Sequence, residues 1–362
     1  MFDSDDLCSL RPLAGGPAVE VIDQTLLPHE LSWVALASTE QFCHAISAMQ
    51  VRGAPLIGIT AAFGLAHALA QDASDAALSE ASEALLATRP TAVNLRWALE
   101  QVADAVQSLP ADARPAAALQ RAIQLRRDDI ANCERIGEHG LQVLRQFAGE
   151  ADDGALNIMT HCNAGFLATV QWGTALAPIY KAQAAGLPVH VWVSETRPRN
   201  QGMNLTAWEL QRAGVPCTVV ADNSCGQLMQ SGKVDCVIVG SDRTARNGDV
   251  CNKIGTYLKA LAARDNSVPF YVALPESTID WRCPDGASIP IEERGSDEVL
   301  CVAGLDGDAG VRSVRLSPDD AVAANPAFDT TPAALVAGLI TEHGVFDASR
   351  EGLGQLAQKL GY

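Results

Sequence analysis

Five short apolar runs, LNIMT, VHVWVS, CTVV, VDCVIV and PFYVAL, recur between residues 156 and 274, with helix-patterned stretches between them. Their hydrophobicity is continuous rather than alternating. Strands covered on both faces of a parallel sheet read this way, and the intervening helices supply the crossovers. The pattern predicts an α/β chain with a Rossmann-like domain, built on a largely parallel sheet, over residues 151–362. Each run is followed by a polar loop rich in Gly or Asn: HCNAG, ETRPRNQG, ADNSCG, GSDRTARNGD and PESTID. In an open α/β sheet ligands sit just beyond the strand C-termini, so these loops are expected to meet at one edge.

The first 150 residues read differently. AVEVIDQTLLP and SWVALAS form a small antiparallel β element, and the chain beyond them is helical. TEQFCHAISAM, the Ala-rich run after Pro55, DAALSEASEALLA, NLRWALEQVADAVQSL and the long run from Pro115 to Phe147 carry apolar residues at spacings of three and four. A mainly helical N-terminal domain with a small β element is expected over residues 1–150. The Gly- and Asp-containing stretch Ala148–Ala155 marks the boundary. Within the first domain PLIGITAAFGLAHALA is the most apolar segment, but Thr60 and His67 interrupt it. It falls short of the ~18 uninterrupted apolar residues of a membrane span and reads as a buried helix.

Charge narrows the functional classes. A net charge of −17 repels nucleic acids and anionic lipid, so an anionic ligand must be met by a local cluster of cations. The ten cysteines occur singly, with no CxxC pair to suggest a zinc or redox site, which fits a reducing compartment. The N-terminal MFDSDDLCSL lacks the basic and apolar regions of a signal peptide, and the expected location is cytoplasmic.

The candidate chemistry lies in the loops. Cys162 follows an apolar strand and precedes Gly165, where the N-terminus of a following helix lowers a thiol pKa or binds an anion. Spacing leaves it open between a structural and a reactive cysteine. His161 beside it suggests a Cys–His pair, but neighbours on an extended segment point opposite ways. Asp242 leaves the end of a strand, and its carboxylate is either a general acid or base or the cap of a turn. Asn252 and Lys253, read as lying at the start of a helix, offer an amide, an ammonium and backbone N–H groups to an oxyanion. In VRGAPLIG, Arg52 presents a fork of donors while Gly53 and Pro55 let the backbone approach a ligand. Arg89, Arg96, Arg197 and Arg199 are further cations in Pro-stiffened loops, and Glu195, Gln201 and Asp222 suit sugar hydroxyls.

Together these segments carry a resemblance. IDQTLLPHE, RGAPLIGITAAFG, TRPTAVNLRWA, THCNAG, ETRPRNQGMNLTAWEL, DNSCGQLM, VGSDRTARNGDVCNKIGTY, IPIEER and NPAFDTTPAALVAGLITEHGV run nearly end to end. The chain resembles the methylthioribose-1-phosphate isomerases, within the larger family that holds the regulatory subunits of a eukaryotic translation initiation exchange factor. The resemblance implies that Asp242 is the proton donor and that Cys162 supports the reacting centre. It implies ligand contacts from Arg52, Gly53, Ala54, Arg89, Gln201, Asn252 and Lys253, and demotes Arg96. It also implies a homodimer formed through the Rossmann-like domain, a sugar phosphate as the small-molecule partner, and no metal or organic cofactor.

The implied reaction converts 5-methylthioribose 1-phosphate to 5-methylthioribulose 1-phosphate in methionine salvage. Sister isomerases of 5-deoxyribose 1-phosphate or ribose 1,5-bisphosphate are the alternative, and a non-catalytic regulatory subunit is a further one. Ser194, Ser241 and DNSCG depart from the family pattern at positions that bear on packing and leave the substrate's C5 substituent open.

Overall fold

The computed structural model describes residues 7–147, 154–307 and 310–361. Its N-terminal part begins with an antiparallel sheet of β1 (Leu10–Pro12), β2 (Val19–Ile22) and β3 (Trp33–Leu36). The helices α1 (Thr39–Ser47), α2 (Ala54–Gln71), α3 (Asp75–Thr88), α4 (Val93–Val106) and α5 (Arg114–Leu144) follow. Ser38 and Ser74 cap α1 and α3, their hydroxyls accepting from the N–H groups of Gln41 and Ala77.

α2 is apolar on every side because it is enclosed on every side. Leu56, Ile59, Phe63, Leu65 and Leu69 are all buried, in one core with Phe42 of α1, Leu85 of α3, Leu99 of α4 and Leu125 of α5. By length and composition α2 passes for a membrane span, yet 78% of it is buried inside the protein. The expectation of a core helix holds.

The second part supplies the remaining helices α6 (Ala177–Ala184), α7 (Ala207–Arg212), α8 (Ser224–Gln230), α9 (Thr256–Asp265), α10 (Asp297–Leu300) and α11 (Arg350–Leu360). Its main sheet contains β4 (Leu156–Thr160), β5 (Val189–Ser194), β6 (Cys217–Val220), β7 (Cys236–Val239), β10 (Phe270–Ala273), β15 (Gly338–Thr341) and β16 (Gly344–Phe346). The spatial order is β16-β15-β10-β7-β4-β5-β6, parallel throughout except for the antiparallel edge strand β16. All five apolar runs are parallel neighbours in it, as expected. The stretch read as a boundary, Ala148–Ala155, lies outside the described residues as far as residue 153. On its near side, α5 contributes Ala118, Ala122 and Leu125 to the helical core and Ile136, Val143 and Leu144 to the sheet core.

The strand order contains the feature that locates a site. From β4 the chain moves outward through β5 to β6, and from β7 it moves the other way through β10 to β15. The adjacent strands β4 and β7 therefore flank the topological switch point, where the outgoing loops diverge and leave a crevice. Cys162 follows β4 and Asp242 follows β7.

A smaller sheet was not anticipated. β8 (Arg243–Ala245), β9 (Val250–Lys253), β11 (Ile279–Asp280) and β14 (Phe328–Thr331) associate in the order β11-β8-β9-β14. Asn252 and Lys253, expected at a helix start, are instead on β9, opposite Asp329 and Phe328 of β14. The reason is non-local. The strand VCNK has little β pattern of its own, and its ladder partner lies far along the chain. A hairpin of β12 (Cys301–Leu305) and β13 (Val311–Arg315) completes the described strands.

Candidate active site

Cys162 stands at the C-terminal end of β4 with φ = 63°, a left-handed conformation uncommon for a side chain of this kind and one that concentrates at functional sites. It is held from both sides: its N–H donates to Thr196 Oγ1 at 2.8 Å, and its carbonyl accepts from Thr206 Oγ1 at 2.6 Å. Burial pushes the thiol pKa up, while Arg52 and Lys253 pull it back. This corrects the expectation of a thiol activated by a following helix. Only a single short turn, Phe166–Ala168, follows the loop, and α6 begins at Ala177.

His161 turns away from the thiol. Its ring hydrogen-bonds the Ile254 carbonyl at 2.8 Å and Thr196 Oγ1 at 3.3 Å. Burial, reinforced by the charge of Lys259, drives its pKa down to about 3, so it is a neutral packing residue. Asp222, expected to serve sugar hydroxyls, is also turned inward. It accepts from Ser194 Oγ and from the N–H groups of Thr196 and Arg197, and so braces the ETRPRNQG loop from behind.

Asp242 is tied by its N–H to the Cys251 carbonyl at 3.0 Å, across the β8–β9 hairpin. The hairpin sets Asp242, Cys251 and Lys253 along one side of a cleft of about 760 Å³, its open mouth included. Arg52, Gly53, Ala54, Arg89, Cys162 and Gln201 line the same cleft. Asn252 lines the adjoining recess behind Cys162 and Asp242. Arg96, by contrast, is exposed on α4. The structure thus brings into one crevice residues drawn from five separate sequence motifs.

The cleft is strongly cationic within an anionic protein. Arg52, Arg89, Arg199, Arg243, Lys253 and Arg294 line it, against the single carboxylate of Asp242. Four of the six meet carboxylates: Arg89 and Arg294 share Glu292, Arg199 pairs with Glu298, and Arg243 pairs with Asp280. Arg52 and Lys253 instead donate to neutral acceptors. Arg52 binds Asn163 through both terminal nitrogens, reaching its side-chain oxygen and, at 2.8 Å, its carbonyl. Lys253 Nζ donates to the Ala327 carbonyl at 2.7 Å and stands 4.3 Å from the centre of the Phe328 ring. Burial, with repulsion from Arg294, lowers the Lys253 pKa to about 8. Arg52 and Lys253 therefore face the cleft with no carboxylate partner, which suits a phosphate dianion.

Gly53 caps α2 with φ = 95°, and a Cβ there would lie 2.5 Å from Ala168 Cα. Only glycine brings the helix N-terminus this close to the loop that follows Cys162, and that terminus directs unpaired N–H groups toward an anion.

Arg294, Glu292, Phe328, Ile289, Pro290 and Met49 were not recognised from sequence. Met49, Ile57, Ile289, Pro290 and Phe328 give the cleft an apolar wall. The segment IPIEER contains four of the missed residues, but it follows no strand, so nothing local directs it to the site. Away from the cleft, and alone among the described residues, Glu276, Glu342 and His343 form a group with metal-ligand chemistry. Both Glu342 oxygens there accept the Glu276 N–H.

The sequence matches the initiation factor 2 subunit family over residues 50–348. It is 59% identical over 345 residues to the methylthioribose-1-phosphate isomerase of Dechloromonas aromatica, covering 95% of each chain. It is 57% identical over 349 residues to that of Methylorubrum extorquens, covering 96% of this chain and 95% of the relative. Among solved structures, 5-methylthioribose 1-phosphate isomerase from Pyrococcus horikoshii superposes with a TM-score of 0.83 at 36% identity, over 99% of both chains. A structure described as the delta subunit of translation initiation factor eIF-2B from A. fulgidus gives 0.78 at 36% identity, over 98% of this chain and all of that one.

Proposed function

This chain belongs to the initiation factor 2 subunit family and, within it, to the methylthioribose-1-phosphate isomerases, and we propose that its cleft converts 5-methylthioribose 1-phosphate to 5-methylthioribulose 1-phosphate. The observation that carries the reading is the placement of Cys162 and Asp242 at the switch point, facing a cleft with two cations that have no carboxylate partner and an apolar wall.

In this reading Arg52, Lys253, Arg89 and the N–H groups of Gly53 and Ala54 hold the phosphate. Gln201 and Asn252 orient the sugar. The phosphate on the anomeric oxygen keeps the ring closed, so an acid must open it. Asp242 gives its proton to the ring oxygen as the bond from that oxygen to C1 breaks. Hydrogen then passes from C2 to C1 with its electron pair, and the C2 hydroxyl returns a proton to Asp242, leaving a ketone at C2. No atom is gained or lost. Burial of Cys162, which keeps the thiol protonated, supports this hydride route over one that needs a thiolate to remove the C2 proton. Cys162 then supports the charged centre as a neutral neighbour. A substrate deuterated at C2 tests the route: retention of the label at C1 is expected, and its exchange with water overturns it.

The apolar wall of Met49, Ile57, Ile289, Pro290 and Phe328 supports a methylthio group at C5. The deciding experiment is turnover of the purified protein on methylthioribose 1-phosphate, 5-deoxyribose 1-phosphate and ribose 1,5-bisphosphate side by side. Ketose formation fastest from the first is expected, and no ketose from any of them rules out the isomerase reading in favour of a regulatory role.

The same proposal includes two domains, residues 1–150 and 151–362, and a cytoplasmic homodimer. The ten unpaired cysteines support a reducing compartment. Sedimentation of a dimer at micromolar concentration is expected.

A further inference from the structure

Glu209 on α7 is wholly buried and lines neither the cleft nor its recess. It lies beneath the loop that follows Cys162 and is surrounded by donors. Oε1 accepts from Asn163 Nδ2 at 2.7 Å and from the Leu167 N–H at 3.1 Å. Oε2 accepts from the Phe166 N–H at 2.8 Å and from the Tyr180 hydroxyl at 2.9 Å. The loop closes over the carboxylate so tightly that a Cβ on Gly165 would lie 1.9 Å from Oε2. Four donors converging on one carboxyl group require it to be ionised, since a protonated oxygen would set donor against donor.

The amide of Asn163 connects this hub to the cleft. Its nitrogen is engaged by Glu209 and, at 3.2 Å, by Thr206 Oγ1, so its oxygen must face the other way, toward Arg52. A flipped amide would turn its two N–H groups on the guanidinium and its oxygen on the carboxylate. Thr206, one turn before Glu209, also holds the Cys162 carbonyl.

We propose that Glu209 is a positioning residue for the isomerisation: through Asn163 it fixes Arg52 against the substrate phosphate and holds the Cys162 loop in its left-handed turn. This rests on the isomerase reading above. Burial raises the Glu209 pKa to about 6, and its donors oppose the rise. Tyr180 on α6 is the titratable group in contact with it, Cys217 on β6 lies beyond the tyrosine, and Arg52 is the charge beyond Asn163. Activity is therefore expected to fall as pH drops through about 6 and Glu209 takes up a proton.

The test compares the wild type with Glu209→Gln and Tyr180→Phe, using methylthioribose 1-phosphate and reading kcat and KM from pH 5 to 8 beside the thermal midpoint. Glu209→Gln is expected to raise KM about tenfold at pH 7.5, with a smaller fall in kcat, as Arg52 loses a charge-assisted network worth ~1.4 kcal/mol or more. Tyr180→Phe removes one donor, raises the Glu209 pKa, and moves the acid limb of kcat/KM to higher pH. The substrate phosphate titrates in every variant, so the readout is the difference between curves. A folded Glu209→Gln with wild-type KM overturns the proposal, and so does a Tyr180→Phe limb that coincides with the wild type. If Glu209→Gln fails to fold, Tyr180→Phe decides alone. Absence of turnover by the wild type, by contrast, refutes the isomerase reading itself.

Discussion

Arg89 at the end of α3 and Glu292 in the segment before α10 form an ion pair at 3.1 Å, and Glu292 also accepts from Arg294 Nε at 2.9 Å. One carboxylate thus brings two guanidinium groups from distant parts of the chain to the same cleft wall. Their charges are only half compensated, which leaves them able to attract an anion.

This arrangement distinguishes two arginines that the local sequence presents as equals. Arg89→Ala is expected to raise KM for the sugar phosphate by about tenfold or more, the loss of a charge-assisted hydrogen bond. Arg96→Ala, an exposed position on α4, is expected to leave KM within about twofold. Steady-state kinetics of the two variants in parallel checks the contrast. Equal effects would remove Arg89 from the site.

Lys253 makes the cleft sensitive to alkali. With its pKa lowered to about 8, it is cationic at pH 7 and neutral at pH 9. KM is therefore expected to rise as pH climbs through about 8, while Lys253→Gln starts from a high KM and lacks that rise. A wild-type KM that stays flat from pH 7 to 9.5 counts against a Lys253–phosphate contact.

In the proposed mechanism, Asp242→Asn removes the proton that opens the ring. A fall in kcat of about 10²- to 10⁴-fold is expected, the usual contribution of a general acid. Cys162→Ser should also lose most turnover, with far-ultraviolet dichroism and thermal midpoint close to wild type in both. Near wild-type kcat in either variant removes that residue from the mechanism.

Gly53→Ala tests how the helix N-terminus is set. The new methyl group would enter the space of Ala168 in a backbone conformation with φ = 95°. A stability loss of about 1–3 kcal/mol is expected in chemical denaturation, together with weaker substrate binding as α2 withdraws.

Much of the fold was readable from local pattern. The five runs that became β4, β5, β6, β7 and β10 are apolar because both faces are covered, and that requirement is written into each segment on its own. The same holds for α2, whose largely apolar surface is satisfied inside a core. Because parallel strands deliver their outgoing loops to one edge, Cys162, Gln201 and Asp242 could be assigned to a common site. The partner of Lys253 was not readable in this way. Its place on β9 depends on pairing with β14, and no periodicity within VCNK announces that partner. His161 and Asp222 look chemically able beside their motifs, yet the direction each side chain takes depends on what packs behind it.

From the sequence alone came the α/β class, the helical first part, the loops that carry the chemistry and the need for a local cation cluster in a chain of net charge −17. Tertiary structure decided which cations have no carboxylate partner, which polar residues turn inward, that Arg294 and Phe328 line the cleft with Glu292 bracing it, and that Glu209 lies beneath the Cys162 loop. Hydrophobic periodicity is a property of consecutive residues. Charge compensation and hydrogen-bond direction are properties of groups brought together by folding, so they exist only once strands and helices from distant parts of the chain have packed.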